Sequence, residues 1–138
     1  MQNEILTPEN VSKDVLKAAF DAAFMDATFD SDGDLKLKDE VTCYVFLREK
    51  NDGIRLSTGF GFKEGTSELQ QLQLTNKIND EWRIVRAYAN PEKLTLKFDY
   101  EILLNGGISV KNFILSVKKF CGIPRDAIAD ADKDGIVE

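Results

Sequence analysis

The stretch from Val41 to Phe62 limits the folds open to this 138-residue chain more than any other part of it. Val41 to Arg48 reads Val-Thr-Cys-Tyr-Val-Phe-Leu-Arg, apolar at nearly every position. That is the pattern of a strand that needs cover on both faces, unlike an ordinary surface strand. Asn51-Asp52-Gly53 follows, and Asp-Gly between apolar runs signals a tight hairpin because these residues tolerate the backbone angles such a turn demands. Beyond it Ile54, Leu56, Phe60 and Phe62 alternate with Arg55, Ser57, Gly59 and Gly61, so one face is dry and the other wet. Such a pair forms antiparallel sheet, and its dry side requires a second layer.

The flanking segments supply that layer. A first helix is expected to open at Thr7-Pro8-Glu9, a cap followed by a proline whose missing N–H does no harm there and an acid near the positive helix end. Val11, Val15, Leu16, Ala19, Phe20 and Ala23 recur at helical spacing, and the pattern fades near Phe24 to Asp26. Ala27 to Asp30, the turn Ser31-Asp32-Gly33 and the pair Leu35/Leu37 read as a short hairpin. After the central hairpin, Ser67 with Gln70 three residues on has capping-box spacing and opens a helix with Leu69, Leu72 and Ile78 on its inner side. Trp82 to Ala89 is expected to be a strand, and Asn90-Pro91-Glu92-Lys93 a turn. Leu94 to Leu103 alternates most cleanly, with Leu94, Leu96, Phe98, Tyr100 and Ile102 against Thr95, Lys97, Asp99 and Glu101. Asn105-Gly106-Gly107 breaks this strand, and Ser109 caps a last helix carrying Val110, Phe113, Ile114, Val117 and Phe120. The order is α-β-β-β-α-β-β-α: an α+β domain over residues 1–123, then an acidic tail at 124–138.

Composition removes several functions. Lys and Arg total 18 and Asp and Glu 24, a net charge of −6, which opposes general nucleic-acid binding. Histidine is absent, so no His-based triad, His general base or His metal site exists. No apolar run approaches the roughly 20 residues of a membrane span, and no secretory signal is visible at the N-terminus; the expected location is the cytoplasm. Cys43 and Cys121 read as reduced, buried thiols.

Local chemistry is sparse. Asp130-Ala131-Asp132-Lys133-Asp134-Gly135 matches the opening of an EF-hand loop, with carboxylates at loop positions one, three and five and then the turn glycine. This makes Asp130, Asp132 and Asp134 candidate ligands for weakly held calcium, against the plainer reading of a solvated acidic tail. Asp30-Ser31-Asp32-Gly33-Asp34 fits worse, since a turn glycine at Gly33 would put the first ligand on Thr28; it reads as a hairpin turn. Gly59-Phe60-Gly61-Phe62 lacks the Gly-Lys-Ser/Thr of a phosphate loop, and its glycines instead allow a helix or neighbouring chain to approach the sheet. Asp99 and Glu101 share a strand face, where ion pairs with Arg55, Arg83, Arg86 or Lys97 are the ordinary outcome. No catalytic residue and no cofactor is assigned. Tyr44 and Phe46 lie opposite Cys43, Val45 and Leu47, so a sheet with helices on one side leaves these rings for something else to cover. Tyr44, Phe46, Gly59 and Gly61 are therefore the expected partner or dimer surface.

Three stretches carry a family resemblance: Ile54-Arg55-Leu56-Ser57-Thr58-Gly59-Phe60-Gly61-Phe62, Trp82-Arg83-Ile84-Val85-Arg86-Ala87-Tyr88, and Phe98-Asp99-Tyr100-Glu101-Ile102-Leu103-Leu104-Asn105-Gly106-Gly107-Ile108-Ser109 with Asn112-Phe113 following. Over residues 9–121 the chain resembles the YbjN-like family of bacterial sensory transduction regulators, whose fold is like that of type III secretion chaperones. The resemblance implies a homodimeric, non-enzymatic regulatory or adaptor module that binds protein partners. Its alternative is a secretion-type chaperone holding an effector segment, and a calcium-responsive module is a third possibility. The Asp-rich tail lies outside the family pattern.

Overall fold

The computed structural model describes residues 4–138. Its elements are β1 (Ile5–Leu6), α1 (Lys13–Ala22), β2 (Asp26–Phe29), β3 (Leu35–Lys38), β4 (Thr42–Leu47), β5 (Gly53–Gly61), α2 (Glu68–Glu81), β6 (Arg86–Asn90), β7 (Thr95–Leu103), β8 (Ile108–Ser109), α3 (Val110–Cys121) and α4 (Pro124–Ala131). Six strands form one antiparallel sheet in the order β2-β3-β4-β5-β7-β6, while β1 and β8 make a separate two-stranded ribbon. β5 and β7 pair along their whole lengths, from Gly53↔Leu103 to Gly61↔Thr95. At the central hairpin Asn51 takes the positive φ, 57°. Gly53 is needed for space: a Cβ there would stand 2.5 Å from Arg48 Cδ.

The period-two pattern sets which face is dry. Leu35, Leu37, Cys43, Val45, Ile54, Leu56, Leu96, Phe98 and Ile102 are buried on one side. They meet Leu16, Ala19 and Phe20 of α1, Leu74 and Ile78 of α2, and Phe113, Val117, Phe120 and Cys121 of α3 in a single core. Phe20 and Phe113 lock α1 to α3, their ring centres 5.4 Å apart. Edge strand β6 is shielded as well: Asn79 on α2 donates to Ala87 O (2.9 Å) and accepts from Ala87 N (2.8 Å). Those two backbone groups would otherwise invite another strand.

Three expectations on boundaries are corrected. The first helix starts at Lys13, because the Ser12 hydroxyl accepts from Val15 N (3.1 Å). Thr7 only closes a turn, its carbonyl accepting from Asn10 N and Val11 N. The strand expected from Trp82 begins at Arg86, since α2 runs on to Glu81 with Trp82 N still bonded to Ile78 O. Residues 124–138, read from their charge as an acidic tail, build α4 on the core, with Ala127, Ala131 and Ile136 buried. They then pair Val137 with Phe62 in an antiparallel bridge. The acids occupy the outer side of that helix, so net charge hid a short apolar stripe. No helix among the described residues is long and apolar enough to cross a membrane.

Candidate functional site

All four helices bury their apolar faces in the core on one side of the sheet, so among the described residues the opposite side carries no helix. On it Tyr44 and Phe46 are half-buried by each other and their strand neighbours, stacked at 6.0 Å with ring planes 7° apart. The Arg55 guanidinium sits 5.1 Å from the Phe46 ring centre, where the negative face of the ring attracts it. Beside Tyr44 opens a hollow of about 500 Å³ lined by Thr42, Ser57, Gly59, Gly61, Lys97 and Arg125, among others. The glycines make the room. A Cβ on Gly59 would lie 3.2 Å from Lys97 Cδ, and one on Gly61 2.7 Å from Glu138 Oε1. What lies against them in this chain is therefore the Lys97 stem and the Glu138 carboxylate.

The acids on this face are answered by arginines. Asp99, only 4% exposed, receives Arg86 Nη2 at 2.6 Å and Arg86 Nε at 3.0 Å. This two-point bond pushes the guanidinium further above its ordinary value, and the same group lies 4.7 Å from the Tyr88 ring centre. Glu101 accepts from Arg48 (2.9 Å). Arg55 stands opposite Glu101 in register but lies over Phe46 instead, and Arg83 precedes the strand. Lys36, Lys38, Arg55 and Lys97 form no ion pair among the described residues. A chain of net charge −6 thus presents one cationic, aromatic face.

The other candidates are placed as follows. Both carboxylate oxygens of Asp132 accept backbone N–H groups, from Ile136 and Val137 (2.9 Å each), while Asp130 accepts from Trp82 Nε1 (3.4 Å). Asp130, Asp132 and Asp134 are not gathered. Among the described residues the acids whose oxygens come within 4.8 Å of one another are Asp30, Asp32 and Asp34. There Asp30 Oδ1 accepts from the backbone N–H groups of Asp32 and Asp34, tying the hairpin turn. The two cysteines are free and buried; the neighbouring Cys121 thiol, then burial, drives Cys43 well above the ordinary thiol range, and Cys43 Sγ donates to Tyr44 O (3.6 Å). At neutral pH it stays a thiol and a poor nucleophile. A thiol reagent is expected to label neither cysteine in the native protein and both in denaturant; rapid native labelling would contradict this packing.

Alternation alone puts Tyr44, Phe46, Gly59 and Gly61 on the face of the sheet where they lie. Sequence reasoning missed Glu138 and Arg125, whose approach to the sheet depends on α4, and it named Arg86 without its bond to Asp99.

A one-layer antiparallel sheet with helices on one face and an open aromatic face on the other defines the class, an α+β protein. A family model described as "Putative bacterial sensory transduction regulator" matches residues 12–124, and the chain belongs to this YbjN family. Among solved structures, it is similar to YbjN of E. coli, described as a putative transcription regulator, with TM-score 0.75, 17% identity, and 93% of this chain and 96% of that one covered. An uncharacterized protein from Methanothermobacter thermautotrophicus follows at TM-score 0.63 and 13% identity, covering 90% of this chain and 99% of that one. The Yersinia pestis type III secretion chaperone SycH, in complex with a stable fragment of YscM2, has TM-score 0.54 and 9% identity over 85% of this chain and 97% of that one. At these identities the likeness is one of fold. No curated protein matches the sequence.

Proposed function

We propose that this chain is a non-enzymatic regulatory adaptor, acting as a homodimer, that binds a protein partner on the helix-free face of its sheet. The observation that carries the reading is the Tyr44–Phe46 stack under Arg55, next to a 500 Å³ hollow and without a helix over it. Half-buried aromatics with a cation across them are the composition of interface anchors. The unpaired Lys36, Lys38 and Lys97 around them favour an acidic partner surface. Family membership supports the regulatory role.

Affinity capture from native lysate with the wild type and with the double variant Tyr44→Ala/Phe46→Ala tests this. A protein should co-purify reproducibly with the wild type, and its recovery should fall at least about 30-fold with the variant, the loss of one or two anchor contacts. Since both rings are half-exposed, the variant should keep its thermal melt. No reproducible partner, or capture indifferent to the substitutions, would defeat the proposal. The chaperone reading draws on the SycH structure with its bound fragment; it gains if the captured protein is an exported one.

A further inference from the structure

The sheet edge on the β6 side changes character along its length. Beside β6 it is closed, because Asn79 takes both the N–H and the C=O of Ala87. β6 begins only at Arg86, opposite Asp99, so β7 runs on from Tyr100 to Leu103 with no strand on that side. At the two ends of the β5–β7 ladder, Leu104 N donates to Asp52 O (2.9 Å) and Phe62 N to Leu94 O (2.7 Å). The even-numbered residues of β7 therefore bond β5, and the alternate ones turn their N–H and C=O groups outward. Those of Glu101 and Leu103 have no backbone partner among the described residues, and both residues are exposed.

The local backbone keeps this edge open. Carried backwards in the same register, β6 would bring Ile84 opposite Glu101. Instead Ile84 has φ at 80°, a left-handed angle that a β-branched residue adopts only under strain. Its side chain gains little burial in return, being 48% exposed. An extended Ile84 would pair with Glu101, and the fold forgoes that bond.

Two hollows flank the open edge, and Ile84 and Tyr100 border both. The one on the helix side, about 330 Å³, is walled by Tyr100, Ile108 and Leu115, with Asn112 and Lys119 beside them. The other, also about 330 Å³, lies along Arg86, Asp99 and Glu101. Successive side chains of a strand point to opposite faces, so a strand laid along Glu101 and Leu103 finds room for each in turn. Both acids at this edge are already bonded, Asp99 to Arg86 and Glu101 to Arg48. Lys119 makes no ion pair among the described residues, so the charge left over is positive.

We infer that an extended segment of a partner protein adds here as an edge strand. It bonds the outward backbone groups of Glu101 and Leu103, sets an apolar side chain against Tyr100, Ile108 and Leu115, and brings an acidic residue to Lys119. The unpaired backbone groups select the occupant, since an extended chain presents N–H and C=O groups at the matching interval and a helix does not. This site is separate from the Tyr44–Phe46 face and goes beyond the reading above.

Selection of random linear dodecapeptides displayed on phage against the full chain tests it, followed by fluorescence anisotropy and amide NMR with the enriched peptides. They should combine an apolar residue with an acid, and on binding they should shift the Glu101 and Leu103 amides and slow their exchange. Leu103→Pro deletes an outward N–H and leaves the β5 ladder whole, as an edge position allows. It should weaken these peptides at least about tenfold, the effect of one hydrogen bond left unmade, with little change in thermal melt. Leu115→Asp, at a residue 53% exposed, should weaken them as much by charging the hollow, and it leaves the strand untouched should the proline disturb it. Tyr44→Ala/Phe46→Ala should bind them as the wild type does. No enriched sequence, or peptides that bind both edge variants as tightly as the wild type and leave the two amides unmoved, overturns the proposal. So does protection of these amides in the free protein that fades on dilution, which would put a second copy on the edge. None of these results bears on capture through Tyr44 and Phe46.

Discussion

A chain cut after Ile123 is expected to lose about 3–5 kcal/mol of folding stability, from burial of Ile136 at about 1.5–3 kcal/mol and of Ala127 and Ala131 at about 0.8 each. Charge alone gives the opposite expectation, because a solvated acidic tail contributes nothing to a core. The packing decides the matter. α4 rests against α2, and beyond it Lys63 N donates to Ile136 O (2.8 Å) and Glu138 N to Gly61 O (2.9 Å). Arg125 adds a bond to Glu40 O (2.9 Å) and lies 5.8 Å from the Phe60 ring centre. Removing the segment uncovers the β5 end as well as the helices. Urea midpoints of the full-length and shortened proteins measure the difference, and a change under about 0.5 kcal/mol, the range of an ordinary surface alteration, would mean that these contacts carry no weight.

How far the sequence discloses this fold depends on the range of the signal. Leu94 to Leu103 announces β7 because alternation is local and repeats over ten positions. Ser67 with Gln70, and Ser109 ahead of Asn112, fix two helix starts through hydroxyls that do accept the expected N–H groups (3.1 and 3.0 Å). The first helix is expected from Thr7, whereas its cap is the Ser12 hydroxyl, which accepts from Val15 N (3.1 Å); Ile5 and Leu6, just before Thr7, belong to the β1–β8 ribbon. That ribbon has two residues per strand, too few to show any period. The open face was legible in Tyr44 and Phe46, yet its charge balance was not: the bond from Arg86 to Asp99 and that from Arg48 to Glu101 rest on cross-strand register. The contact of Cys43 with Cys121 joins residues far apart in the chain. Phe24, 98% exposed, was hardest to read, since an exposed phenylalanine and a core one look alike in a string of letters.

Phe113→Ala is expected to lose about 3–5 kcal/mol, the range for truncating a fully buried phenylalanine. Phe113 has no accessible surface and holds Phe20 across the α1–α3 contact, so a void there also frees the two helices to shift. Set against a total stability of about 5–15 kcal/mol, that leaves a marginal protein, with a urea midpoint lowered in proportion and an unaltered slope. Phe113→Leu fills most of the space and should lose clearly less. Emptying the inner site removes dispersion contacts and dry surface that the folded monomer needs. If Phe113→Ala loses less than about 1 kcal/mol, α1 and α3 are not locked through that contact.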